Sequence, residues 1–305
     1  MGSSYKAFYG GVVAALGKVV IVTISYRLGV FGFLRQPSSS FHHSNIGLLD
    51  QIAAIEYVNT HIHSFGGNAA SITLQGQSAG AISIGLLMLS PLSNRLFQRV
   101  ILQSASPMMP KQLFEGQHYD RLMDITNCTQ FALESEIEFN EGDNEEKRSG
   151  ESGNSSTYLN DLEIQCLENM PATVLNNIQA AMVEENAFSF GPAIPSPLFP
   201  DFPLEFLKQV SKISKKSILL GANQNEGPVL KFAKTWSETS NSDQVFLYLF
   251  NQSESHYPSW VGSSHWIEMD FVFGIPLQEK ERFSKEEQEL SSRMIQTWTH
   301  FAKTG

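Results

Sequence analysis

The chain has 305 residues, 42% of them hydrophobic, which is enough for one large domain with a sizeable core. It carries 31 Asp and Glu against 21 Lys and Arg, and a net charge of −10 excludes the basic footprint that nucleic-acid binding needs. The best apolar candidate for a membrane span is interrupted by Lys18 and Arg27, and Met1-Gly2-Ser3-Ser4 has none of the features of a signal peptide. Val19–Tyr26 is a mostly β-branched run and predicts a strand buried on both faces of a parallel sheet. Residues 36–44 form a polar loop. From Leu48 to His63 apolar residues recur at helical spacing, and Phe65-Gly66-Gly67-Asn68 ends that helix.

Ile72-Thr73-Leu74 predicts a second strand and Ala81–Leu89 a helix, with Gly76-Gln77-Ser78-Ala79-Gly80 between them. A serine in G-x-S-x-G between strand and helix sits on a sharp turn, where small neighbours relieve steric strain and expose the hydroxyl. The N–H of Ala79 is then placed to donate to an oxyanion. Arg99–Ser104 predicts the next strand, so the alternation points to βαβ units, a mainly parallel sheet and the α/β-hydrolase fold. Residues 134–157 form an acidic loop insertion within what reads as a single domain over 1–305. Phe190–Pro203 is rich in Pro and Phe and predicts irregular chain. Further strands are expected at Ser217–Gly221 and Val245–Phe250. Ser284 and Glu287 form a capping box before a closing helix that presents Leu290, Met294 and Trp298 on one face. His61 and His63, two apart on a helix, face different sides and read as solvated residues rather than metal ligands. Cys128 and Cys166 permit one disulfide without establishing it.

Four motifs together resemble the type-B carboxylesterases: Ser25-Tyr26-Arg27-Leu28-Gly29, Asn45-Ile46-Gly47-Leu48-Leu49-Asp50-Gln51, Phe65-Gly66-Gly67-Asn68 and Gly76–Gly80. Phe271–Leu277 and Trp298–Gly305 are similar to the cholinesterases within that family. The resemblance implies a Ser, Glu, His triad of Ser78, Glu226 and His265. Glu226 lies in Asn225-Glu226-Gly227, which also reads as a plain loop carboxylate. His265 lies where the family's histidine does, and a surface loop histidine is the alternative. His300 falls on the closing helix and reads as a packing residue. In the implied chemistry His265 takes the Ser78 proton, Glu226 holds the imidazole, an acyl-serine forms, and water releases the acid. No metal or organic cofactor is required, and the partner is a small-molecule ester, a choline ester on the cholinesterase likeness. The resemblance also implies that Cys128 and Cys166 pair, closing a loop that the acidic insertion enlarges. The sequons at Asn127, Asn154 and Asn251, with that disulfide, imply a secreted or cell-surface setting.

The chain departs from the family at several points. The glycine-rich segment expected upstream, which supplies two oxyanion donors, and the aromatic choline site are absent, and the chain stops before the family's usual end. Glu226 and His265 are only 39 residues apart, so a middle segment is expected to be missing. Trp266 replaces a glycine, and Gln77 stands where many relatives carry Glu. These departures predict a fragment or shortened isoform with weakened esterase activity. The rival reading is binding, as in the neuroligin-type adhesion proteins that keep the fold without catalysis. Intact Ser78, Glu226 and His265 favour the enzyme. A third reading is a shortened chain that folds poorly and does neither.

Overall fold

The structure, a computed structural model, describes residues 8–34, 45–108, 119–132, 161–186, 189–194, 216–224, 230–240 and 244–305, with single positions between 196 and 205. In chain order its elements begin with α1 (Gly11–Gly17), α2 (Gly29–Phe33), α3 (Ile46–His61), β1 (Thr73–Gln77), α4 (Ala79–Leu89) and β2 (Arg99–Gln103). There follow α5 (Tyr119–Thr126), α6 (Asp161–Glu168), α7 (Ala172–Glu185), β3 (Ser217–Asn223), α8 (Leu230–Ser240) and β4 (Val245–Phe250). Three helices close the chain: α9 (Ile267–Phe273), α10 (Ile275–Gln278) and α11 (Lys285–Thr304). No described helix is long and apolar enough to cross a membrane.

Two compact units divide these elements. The first takes Met1–Ser25, Gln51–Met109 and Asp201–Gly305, the second Tyr26–Asp50 and Pro110–Pro200. The first unit holds a four-stranded sheet in the order β1-β2-β3-β4, every pair parallel. The reason is visible in the sequence. β1 returns to β2 through α4, a crossover that only parallel neighbours need. Strands covered on both faces have no polar alternation, and Val100, Leu102, Ile218 and Leu220 are fully buried. Leu74 stands opposite Val100 and Ile101 opposite Leu219.

Helix α11 covers one face. Met294, Trp298 and Phe301 pack with Ile101, Leu219, Phe250 and Phe271, and Leu290 is partly buried beside them. Burying one such side chain contributes about 1.5–3 kcal/mol, so this face supplies much of the unit's stability. The predicted capping box fixes the start of α11: the Glu287 N–H donates to Ser284 Oγ at 3.2 Å and the Ser284 N–H to Glu287 Oε2 at 2.7 Å.

In the second unit α2, α5, α6 and α7 enclose a core of Val30, Leu122, Met123, Leu167, Leu175 and Met182. Cys128 and Cys166 are bonded within it, with Cα atoms 5.6 Å apart. Arg27 makes a bidentate pair with Asp50, at 2.6 and 2.8 Å, and hydrogen bonds from the Arg27 side chain and N–H hold the Asp50 carboxyl below its ordinary range. Asn45 bonds both ways with the Ala193 backbone, donating at 3.0 Å and accepting at 2.7 Å.

Two expectations are corrected. Val19–Tyr26 is not a strand, and Val20, Ile21 and Val22 are 44%, 37% and 48% exposed. A β-branched run becomes a strand only where another strand's backbone meets it, and β1 pairs with β2 alone among the described strands. His300 is exposed rather than packed. The predicted helix 48–63 is present as α3 followed by a tight turn at Ile62–Phe65, ended by Gly66 at φ 80°. The loop at 36–44 and the acidic insertion at 134–157 lie outside the described residues, as does part of Phe190–Pro203.

Candidate active site

Ser78 stands between the last residue of β1 and the first of α4, with φ 55° and ψ −122°. A non-glycine residue there is strained by about 1–3 kcal/mol and persists only where its surroundings impose it. Those surroundings are on both sides. The Ser78 N–H donates to the Gln103 carbonyl at 2.8 Å, at the end of β2, and the Ser78 carbonyl accepts from Ile82 at 3.1 Å inside α4. The first turn of α4 folds back so closely on β1 that a Cβ on Gly76 would lie 2.5 Å from the Gly80 carbonyl carbon. A Cβ on Gly80 would meet nothing, so the steric need for a small residue rests on Gly76.

Ala79 opens α4. Its N–H is one of the first N–H groups of a helix, which no carbonyl of the same helix accepts, and it lies at the positive end of the dipole. An anion formed at the Ser78 hydroxyl's target would meet a donor there.

His265 is exposed on the loop before α9. Its Nε2 lies 3.1 Å from Nε2 of Gln77, the residue before the serine. Gln77 itself is buried, and its Oε1 has no partner among the described residues. The structure therefore brings His265 to the serine turn across 188 residues of sequence. Glu226 and Asn154 lie outside the described residues. Asn127 and Asn251 are exposed, Asn127 at φ 55°.

One residue was missed by the sequence reading. Glu268, fully buried, accepts from Ser104 Oγ at 3.2 Å and from Asn223 Nδ2 at 2.8 Å. Asn223 Nδ2 also donates to the Ser264 carbonyl at 2.5 Å. Glu268 thus ties the ends of β2 and β3 to the loop that carries His265. No local signal marked it: His265 lies on the loop before α9, outside the helix, so helical spacing does not link the two residues, and Glu268 reads in the sequence as one more helix-start carboxylate. Next to the histidine, Trp266 adopts φ 87°, where a bulky residue is strained, and its ring meets Phe8 edge-on at 5.5 Å between centroids. The conformation explains why glycine is the residue expected at this position.

A second acidic pair joins Asp270 of α9 to Glu254, which follows β4. Glu254 is 2% exposed, and burial, together with the neighbouring Asp270 carboxylate, pushes its carboxyl up to about 8. Burial raises Asp270 as well. Beside them His256 Nε2 accepts from the Arg282 guanidinium at 2.6 Å. No group of three or more His, Cys, Asp or Glu side chains that could hold a metal ion occurs among the described residues, and His61 and His63 are both exposed.

The sequence matches the carboxylesterase family over residues 1–230 and again over 227–305. The chain belongs to the carboxylesterase family. Similar members are a cholinesterase of Mus musculus, 26% identical over 381 residues, and an acetylcholinesterase of Bungarus fasciatus, 28% identical over 385. Each alignment covers 99% of this chain and 59% of the relative. An acetylcholinesterase of Danio rerio is 27% identical over 411 residues, covering 99% and 61%. This carboxylesterase-family chain therefore spans about three-fifths of the length of the curated relatives it matches. The alignments run over more positions than its 305 residues, so these relatives carry internal segments that it lacks. The two stretches matched to the carboxylesterase family meet near 227–230, between Glu226 and His265.

Proposed function

We propose that this carboxylesterase-family chain is a serine carboxylic-ester hydrolase acting through an acyl-serine intermediate. The observation that carries the reading is the strained backbone of Ser78 in G-x-S-x-G, at the junction of β1 and α4. Strain at such a strand-to-helix turn, with Ser78 half-buried, is what a nucleophile elbow requires. Ser78 Oγ attacks the ester carbonyl, His265 Nε2 takes the proton, and the Ala79 N–H faces the oxyanion. Glu226 is assigned to the imidazole's Nδ1–H on the family resemblance. The alcohol leaves with the proton from His265, and water, deprotonated by the same nitrogen, releases the acid. The names of the relatives favour choline esters as substrates, and the Cys128–Cys166 bond favours an oxidising, secreted or cell-surface setting.

The test is labelling by a fluorescent fluorophosphonate, with turnover of acylthiocholine and nitrophenyl esters. The wild-type chain is expected to label at one residue. Ser78→Ala should abolish labelling, and His265→Ala should reduce its rate by about 10²–10⁴-fold, the usual contribution of a positioned base. A folded chain that does not label would overturn the hydrolase reading in favour of a binding protein.

A further inference from the structure

The sheet-bearing unit contains a cavity of about 660 Å³. It lies along β1, an edge strand of the sheet, and is walled on another side by Val19–Val22. The volume falls within the range of about 300–1,000 Å³ typical of small-molecule sites. Most of the wall is aliphatic, with Ile55, Leu74, Leu87 and Ile101 among its residues, and Trp298 joins them. Neither Ser78 nor His265 lines it.

The charge pattern is one-sided. In a chain with 31 acidic residues none lines this cavity, and its ionisable lining residues are Lys18 and Lys303. The two lie at one rim. Gly17, at the end of α1, packs so tightly on α11 that a Cβ there would collide with Thr299. Lys18 follows Gly17, and Lys303 is one helical turn beyond Thr299 on the same face. Neither lysine has an ion-pair partner among the described residues. In addition, the buried indole Nε1 of Trp298 has no hydrogen-bond partner among the described residues.

We propose that this cavity binds one long-chain fatty-acid anion, its tail among the aliphatic residues and its carboxylate between the ammonium groups of Lys18 and Lys303. A single-chain amphiphile suits a volume of this size better than a two-chain phospholipid. An anion suits a rim with two cations and no carboxylate. The site is separate from the serine turn and does not depend on ester hydrolysis.

The experiment is calorimetric titration of the full chain with laurate, myristate, palmitate and hexadecanol, with phosphatidylcholine vesicles as a separate arm. Saturable one-to-one binding of palmitate is expected, tightening with chain length by up to about fourfold per methylene. The double variant Lys18→Ala/Lys303→Ala changes two exposed side chains. It should weaken palmitate about tenfold or more, as loss of charged hydrogen bonds does, and leave hexadecanol unchanged. Ala54→Trp, which fills the cavity from α3, should abolish both, and Ser78→Ala should alter neither. Hexadecanol binding as tightly as palmitate, or palmitate binding that survives the lysine substitutions, would overturn the proposal. So would vesicle binding without binding of free palmitate, which points to a membrane surface. Absence of any binding would overturn it as well.

Discussion

At Ser78 the backbone angle, not the side chain, is the unusual feature, and the neighbouring residues share the work of holding it. Glu268 is the residue whose loss should be felt most widely. Glu268→Ala leaves Ser104 Oγ without its Glu268 acceptor and removes an acceptor of Asn223 Nδ2. A buried polar group left unpaired costs about 1–3 kcal/mol, and because Ser104 is half-buried and Asn223 keeps the Ser264 carbonyl, denaturant unfolding should show a loss near the lower end of that range. Esterase turnover should fall further than KM rises, because the His265 loop loses its tie to β2 and β3. Glu268→Gln, which keeps one acceptor, should lie between. Trp266 is a different case. The left-handed backbone costs a bulky residue about 1–2 kcal/mol, and the edge-on ring of Phe8 offsets part of it. A double-mutant cycle of Phe8→Ala with Trp266→Gly should therefore return a coupling of about 0.5–1.5 kcal/mol. A coupling near zero would mean that the ring contact contributes nothing.

Among the elements, α9 carries the strongest electrostatic burden. Its Asp270 shares a buried region with Glu254, and the folded protein holds a proton on Glu254 up to about pH 8, whereas the unfolded chain releases it near 4.5. Between those values the folded state binds more protons than the unfolded state, so stability falls as pH rises through that window. Glu254→Gln removes the titration while keeping the shape. The variant should be more stable than wild type at pH 8, by less or not at all at pH 5, and its Tm should depend less on pH between them. Thermal melts from pH 4.5 to 8.5 measure this. Equal pH dependence in the two proteins would show that another group dominates.

For the whole molecule, the disulfide is the clearest lever. Cys128 and Cys166 are 38 residues apart, and closing a loop of that length stabilises by about 3–4 kcal/mol on the chain-entropy model. The bond lies within the core of the second unit, next to Leu122, Leu167 and Met182. Reduction is expected to lower the unfolding midpoint of the second unit while leaving the sheet-bearing unit less affected. Hydrogen exchange before and after reduction would separate the two. Uniform loss of protection in both units would show that they unfold as one.

What the sequence determined by itself is what depends on neighbours close in the chain. The serine turn, the parallel strands at Arg99–Gln103 and Ser217–Asn223, and the capped closing helix follow from turn chemistry, aliphatic runs and the Ser284–Glu287 pair. Each is set within a few residues. The tertiary structure decided the features whose partners are remote. Val19–Tyr26 carries strand-forming residues and yet forms no strand, because pairing needs an edge that local chemistry cannot supply. The His265–Gln77 contact joins positions 188 residues apart. Glu268 became legible only once folding had brought Ser104 and Asn223 to it, because burial and hydrogen bonding are properties of the packed site and not of the residue.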